Sequence, residues 1–237
     1  MRAAQSVSTR CDPAATGHAV RATNVSFSYG GTPALHDAHL SVAPGESLAL
    51  MGPSGSGKST LLHCVAGVLV PDSGEVWLGG TRLDQLAERE RSRLRLQHMG
   101  VVFQHGDLVP ELSLLENVAL PAQLLGCRPR RAREQALETL AALGVDSVAS
   151  RRAGAVSGGQ AQRAAVARAL AHRPRIVLAD EPTGSLDTAN ADAVMEALVA
   201  QVASLGAALV VVTHDNRVAS HLDGLVSVLD GRTSGPV

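Results

Sequence analysis

Residues 47–60 read Ser47-Leu48-Ala49-Leu50-Met51-Gly52-Pro53-Ser54-Gly55-Ser56-Gly57-Lys58-Ser59-Thr60. The first five form a short apolar strand, the glycine-rich middle breaks it, and the run from Ser59 to Leu69 carries apolar residues at helical spacing before Pro71. Strand, loop and helix in that order complete the pattern G-x-x-x-x-G-K-[ST]. Glycines let the backbone turn its N–H groups inward and the next helix adds its N-terminal dipole, so the stretch is a cradle for phosphates. Lys58 is placed to reach β- and γ-phosphates, and Ser59 to ligand Mg²⁺. Lys58 is also the only lysine among 21 Lys and Arg residues; an ordinary glycine turn would leave that placement to chance.

A second segment, Ile176-Val177-Leu178-Ala179-Asp180-Glu181, is an apolar strand that delivers two carboxylates to its end. Two adjacent acids there can divide the work. Asp180 is placed to orient Mg²⁺ and Glu181 to accept a proton from attacking water. An isolated acidic pair after a strand would read as a loop or a cap, but the phosphate cradle upstream gives it a metal–triphosphate partner.

The 237 residues are 45% hydrophobic and 2% aromatic, with a formal net charge of -1. One folding unit or two small ones is implied, with a core filled by Ala, Val and Leu and large enough to need neither disulfides nor structural metal. The charge balance argues against a general nucleic-acid surface, and no aromatics interleave the basic runs to stack bases. Cys11, Cys64 and Cys127 are odd in number and far apart, which fits a reducing compartment. No apolar run reaches 18 residues and the first 18 residues lack the apolar centre of a secretory signal, so the chain is expected not to span a membrane itself. The nine histidines and three cysteines show no zinc-type spacing.

Residues 1–18 are expected to be a flexible lead-in and 19–237 the domain that carries the phosphate loop and the acidic strand. Strands are expected at 20–27, 36–43, 47–51, from Ser73, 99–104, 175–180, 208–213 and 225–229, with helices from Lys58 towards Leu69, at 113–125, 130–143, from Gln160, near 189–204 and near 215–221. Residues 83–97 are charged and periodic. Alternation of strands and helices implies an α/β fold, a mainly parallel sheet flanked by helices. The early strands have links too short for helical crossovers and fit an antiparallel side sheet. The middle, about 105–160, reads as a helical subdomain.

Ala155-Val156-Ser157-Gly158-Gly159-Gln160, shortly before the acidic strand, resembles the signature segment of the ATP-binding subunits of ABC transporters. The resemblance spans about residues 20–230 and implies the P-loop NTPase fold. It assigns Tyr29 to adenine stacking, Gln104 to Mg²⁺ and water sensing, Asp187 to contacts across a dimer, and His214 to the γ-phosphate. Taken singly, Tyr29 reads as a core-edge aromatic, His214 as a cap or surface residue, Gln104 as a loop amide and Asp187 as a helix start. Ser157, Gly158, Gly159 and Gln160 resemble the half-site that closes on ATP bound by another copy. Val156 stands where the family usually has leucine and Ala161 where polar residues are frequent; both bear on interface tuning.

His105–Gly126, especially Glu111-Leu112-Ser113-Leu114-Leu115-Glu116-Asn117-Val118-Ala119-Leu120-Pro121, resembles the subfamily serving lipoprotein release or macrolide-type export. That implies a second ATP-binding subunit, a homodimer in the simplest case, and an integral membrane permease as partner. Leu108, Leu112, Leu114 and Leu115, with Glu116 and Asn117, are candidates for the permease surface, the alternative being that they mainly pack the helical subdomain. The arginines at 89–95 and 128–133 read as solvated helical faces, with anionic lipid as the alternative for each. A soluble ABC ATPase acting on nucleic acid or the translation machinery is the other functional reading; the chain has none of the long arms or tandem units such relatives use.

Overall fold

The computed structural model describes residues 17–103, 108–184, 186 and 188–235. Residues 1–16 of the expected lead-in, together with Gln104 and Asp187, lie outside the described residues. In chain order the strands are β1 (Val20–Tyr29), β2 (Thr32–Val42), β3 (Ser47–Met51), β4 (Ser73–Leu78), β5 (Thr81–Arg82), β6 (Met99–Val102), β7 (Ile176–Asp180), β8 (Ala208–Thr213), β9 (Gly224–Leu229) and β10 (Arg232–Ser234). The helices are α1 (Lys58–Val65), α2 (Glu88–His98), α3 (Leu114–Leu124), α4 (Pro129–Ala142), α5 (Gly158–Leu170), α6 (Thr188–Leu205) and α7 (Asn216–Ala219).

The strands form two sheets. A six-stranded sheet runs β10-β9-β3-β8-β7-β6, parallel except for the terminal β9–β10 hairpin, and a four-stranded antiparallel sheet runs β2-β1-β4-β5. The central strands are buried on both faces, as a sheet covered by helices on each side must be. Their side chains divide by alternation. Ile176, Leu178, Ala208, Val210 and Val212 join a core with α1 and the antiparallel sheet, while Val177, Ala179, Leu209 and Val211 join one with α3, α4, α5 and α6.

Several boundaries differ from the sequence expectation. α1 stops at Val65, not Leu69: Gly67 takes φ +65° and donates its N–H to the Cys64 carbonyl, closing the helix early. Arg91 and Arg95 are not a solvated face. Their side chains are 11% and 21% exposed and donate to the Ala66 and Gly67 carbonyls, so α2 caps the end of α1. β2 starts four residues before the expected His36, and β10 follows a turn at Asp230-Gly231 that the sequence reading passed over.

The region from Leu108 to Asn117 is also corrected. Leu114 is fully buried and Leu115 is 8% exposed, so these two leucines hold α3 in place, whereas Leu108 and Leu112 are half-buried and Glu116 is exposed. Asn117 is fully buried; its Oδ1 accepts from the Val109 N–H at 2.8 Å and its Nδ2 donates to the Val109 and Ser113 carbonyls, each at 3.0 Å. Glu116 is exposed and accepts from the Ser113 N–H in a capping box, whose hydrogen bonds hold its carboxyl below the usual range.

Candidate nucleotide site

The loop at 52–57 owes its shape to close contacts as much as to glycine freedom. A Cβ on Gly52 (φ +155°) would overlap the Val228 carbonyl oxygen, and one on Gly57 (φ +103°) would lie 2.6 Å from the Ala34 carbonyl. The terminal hairpin therefore props the loop from behind, and the Gly231 N–H donates to the Ser56 carbonyl at 2.9 Å. Lys58, 8% exposed, donates to the Gly52 and Pro53 carbonyls at 2.9 and 2.8 Å, which uses two of its three N–H groups. Ser56 Oγ is buried with no partner among the described residues.

The parallel register brings the acids to this loop. Met51 lies opposite Thr213, and Asp180 opposite Val212, so β3, β8 and β7 end side by side, where open α/β sheets bind ligands. Asp180 is 6% exposed. Glu181 sits at φ +47°, a left-handed conformation that costs a non-glycine residue about 1–2 kcal/mol. Its N–H donates to the Val212 carbonyl at 3.0 Å and its own carbonyl accepts from Gly184 at 3.1 Å; together these fix the carboxylate's direction. His214 Nδ1 lies 2.6 Å from Glu181 Oε1, tying the residue after β8 to the residue after β7.

A cleft of about 790 Å³ opens here, lined by Ser54, Gly55, Gly57, Lys58, Ser59 and Thr60 on one side and Asp180, Glu181 and His214 on the other. Tyr29 stands at its rim, 51% exposed, edge-on to Phe27 with ring centroids 4.8 Å apart and its hydroxyl 3.5 Å from Thr60 Oγ1. Ala34, Val212 and Gly184 also line the cleft; the first two carry no reactive chemistry that a sequence could flag, and Gly184 falls in the stretch before Asp187. The donor set fits a hard cation: a hydroxyl on Ser59 and a carboxylate on Asp180 face one space. Among the described residues no three His, Cys, Asp or Glu side chains gather as a metal cage, so such an ion would be completed by phosphate oxygens and water.

The signature segment is elsewhere. Ser157, Gly158, Gly159 and Gln160 do not line the cleft. Ser157 caps α5, accepting from the Gln160 N–H at 3.3 Å, and Gln160 Oε1 accepts from the Ser157 N–H at 3.1 Å. Ser157 and Gly158 at this helix start are exposed and Gly159 is half-buried, with Leu186 lying against it, 3.0 Å from where a Cβ would be. Among the described residues no helix is long and apolar enough to cross a membrane.

These features agree with the relatives. Residues 35–184 match the family model for ABC transporters. The lipoprotein-releasing system ATP-binding protein LolD of Paramagnetospirillum magneticum is 46% identical over 198 residues, covering 83% of this chain and 87% of that protein. LolD 2 of Caulobacter vibrioides is 45% identical over 202 residues, covering 85% and 89%. Among solved structures, the dimeric post-hydrolysis state of the ATP-binding cassette MJ0796, bound to ADP and Pi, aligns with TM-score 0.85 at 36% identity over 91% of this chain and 98% of that one. With a phosphate loop, a paired-acid strand end and a capped signature helix on this fold, the chain belongs to the ABC transporter family as an ATP-binding, ATP-hydrolysing subunit.

Proposed function

We propose that this ATPase drives an exporter of the lipoprotein-release or macrolide-export type, attached to the cytoplasmic face of the membrane through a separate permease and working as a head-to-tail pair, in the simplest case two copies of this chain. The observation that carries the reading is the cleft itself, which gathers the phosphate loop, Asp180, Glu181 and His214 within one monomer while leaving the signature helix start exposed outside it. Ser157, Gly158, Gly159 and Gln160 are then free to seal the cleft of the other copy, with N–H groups at a helix N-terminus facing the triphosphate. The LolD relatives and the dimeric MJ0796 cassette support this arrangement.

Within the cleft, Tyr29 stacks on adenine and the loop from Gly52 to Thr60 wraps the phosphates, with Lys58 exchanging its carbonyl partners for phosphate oxygens. Ser59 and Asp180 would hold Mg²⁺, with Gln104 as a further ligand, and the ion would supply positive charge to offset that of the triphosphate. Glu181 accepts a proton from the in-line water, and His214, which orients that carboxylate through Nδ1 before nucleotide binds, turns its ring N–H to the γ-phosphate once nucleotide is bound. Asp187 contacts the opposite copy.

Glu181→Gln keeps the shape of the acid and removes its basicity. The expected result is unchanged ATP affinity, turnover lowered by roughly 10²–10⁴-fold, and an ATP-dependent dimer detectable by size-exclusion chromatography. Parental turnover with no ATP-dependent association would remove both the base assignment and the paired-site reading.

A further inference from the structure

The tip of the α3–α4 hairpin has a surface that the nucleotide cleft does not use. Leu124 and Leu125, 64% and 39% exposed, end α3 in a closed turn: Gly126 takes φ +85° and the Cys127 N–H donates to the Ala122 carbonyl at 3.0 Å. Arg128, Arg130, Arg131 and Arg133 follow at once, all exposed. Arg128, Arg130 and Arg131, with Cys127 and Glu134, border a hollow of about 420 Å³.

Internal contacts do not account for this charge. Four arginines face one nearby acid, Glu134, which pairs with Arg130 at 3.0 Å, and Arg133 acts on Glu116 further down α3. Arg128 and Arg131 have no carboxylate partner among the described residues. The first turn of α4 holds no acidic residue and Arg128 makes no cap hydrogen bond, so cations stand where the helix dipole disfavours them. In a chain of net charge -1 the concentration is local.

We propose that this tip is a contact for anionic lipid: the arginines bind headgroup phosphates while Leu124 and Leu125 enter the boundary between headgroups and acyl chains. Exposed leucines bordered by arginine are the composition an interfacial anchor needs, and a negatively charged membrane surface complements the patch. The inference goes beyond the nucleotide site and does not depend on the transported substrate.

The test is flotation of the purified full chain with vesicles of phosphatidylcholine alone or with roughly a third phosphatidylglycerol. Partition is expected onto the anionic vesicles only and is expected to weaken with salt. R128Q/R130Q/R131Q should lower it by about five-fold per arginine, and L124S/L125S by about ten-fold. The triple lysine variant should bind within a few-fold of the parent, and ATP turnover should be parental throughout, since none of these residues lines the cleft. Equal partition onto neutral and anionic vesicles, or no partition of the parent, overturns the proposal. So does a glutamine variant that binds vesicles as the parent does; if that variant also loses co-purification with the permease, the patch is a protein contact. E181Q is scored separately, so failure here leaves the nucleotide reading intact.

Discussion

Glycine at position 52 illustrates how one residue links the phosphate loop to a distant part of the chain. The constraint comes from the Val228 carbonyl, which occupies the space a side chain would need. Gly52→Ala should therefore cost about 3 kcal/mol or more of stability, read from the denaturation midpoint, through both overlap and backbone strain. ATP affinity should fall with it, because the loop must move off its prop. A Gly52→Ala variant with the parental midpoint and affinity would show that the hairpin yields freely. Glu181 is the complementary case, a non-glycine residue held left-handed by two backbone hydrogen bonds, so that the proposed base points at the cleft before any ligand arrives.

At the scale of elements, Asn117 does for the 109–113 segment what a strand does for its neighbour. It bonds both the N–H and the carbonyl of Val109 from inside α3, and so pins a surface loop to the core. Removing it leaves the Val109 N–H without its partner and empties a fully buried site in α3, while the Val109 carbonyl keeps the Leu112 N–H at 3.2 Å. Asn117→Ala should cost about 2–4 kcal/mol, and Asn117→Leu no less, because filling the volume does not restore the hydrogen bonds. Denaturant midpoints for the two variants, with hydrogen exchange at the Val109 amide, decide this; recovery by leucine would assign the effect to packing. The partner-surface reading of the ELSLLENVALP stretch comes from its resemblance to the export subfamily, while the spacing of its apolar residues puts Leu114, Leu115 and Val118 on the side of α3 that faces α4 and α5.

Over the whole molecule, the sheet edge at β6 joins the α2 layer to α5 through His172. Its Nε2 lies 3.1 Å from the Met99 carbonyl, and burial holds its pKa below the usual 6.5. His98, on the same edge, is lowered by burial and by Arg175. For both, the unfolded chain takes up protons between pH 6.5 and the lower folded values that the folded chain refuses, so stability should fall as pH drops through that window. Urea midpoints at pH 7.5 and 5.5 should show the loss, and His172→Gln should flatten the slope. An unchanged slope in that variant would place the proton uptake elsewhere.

The sequence alone determined the phosphate loop, the acidic strand end, the alternation of strands and helices and the family, because each is encoded in contiguous residues whose spacing is set by backbone geometry. Folding decided what depends on residues far apart in the chain. Arg91 and Arg95 became caps for α1, the turn at Asp230-Gly231 became the prop behind Gly52 and Ser56, and Glu181 acquired His214 as a partner through the register of β7 on β8. Charge pattern and turn chemistry are visible along a strand of text, but which carbonyl a guanidinium reaches, or which glycine a returning hairpin presses on, is fixed only once the sheet order has closed the distances.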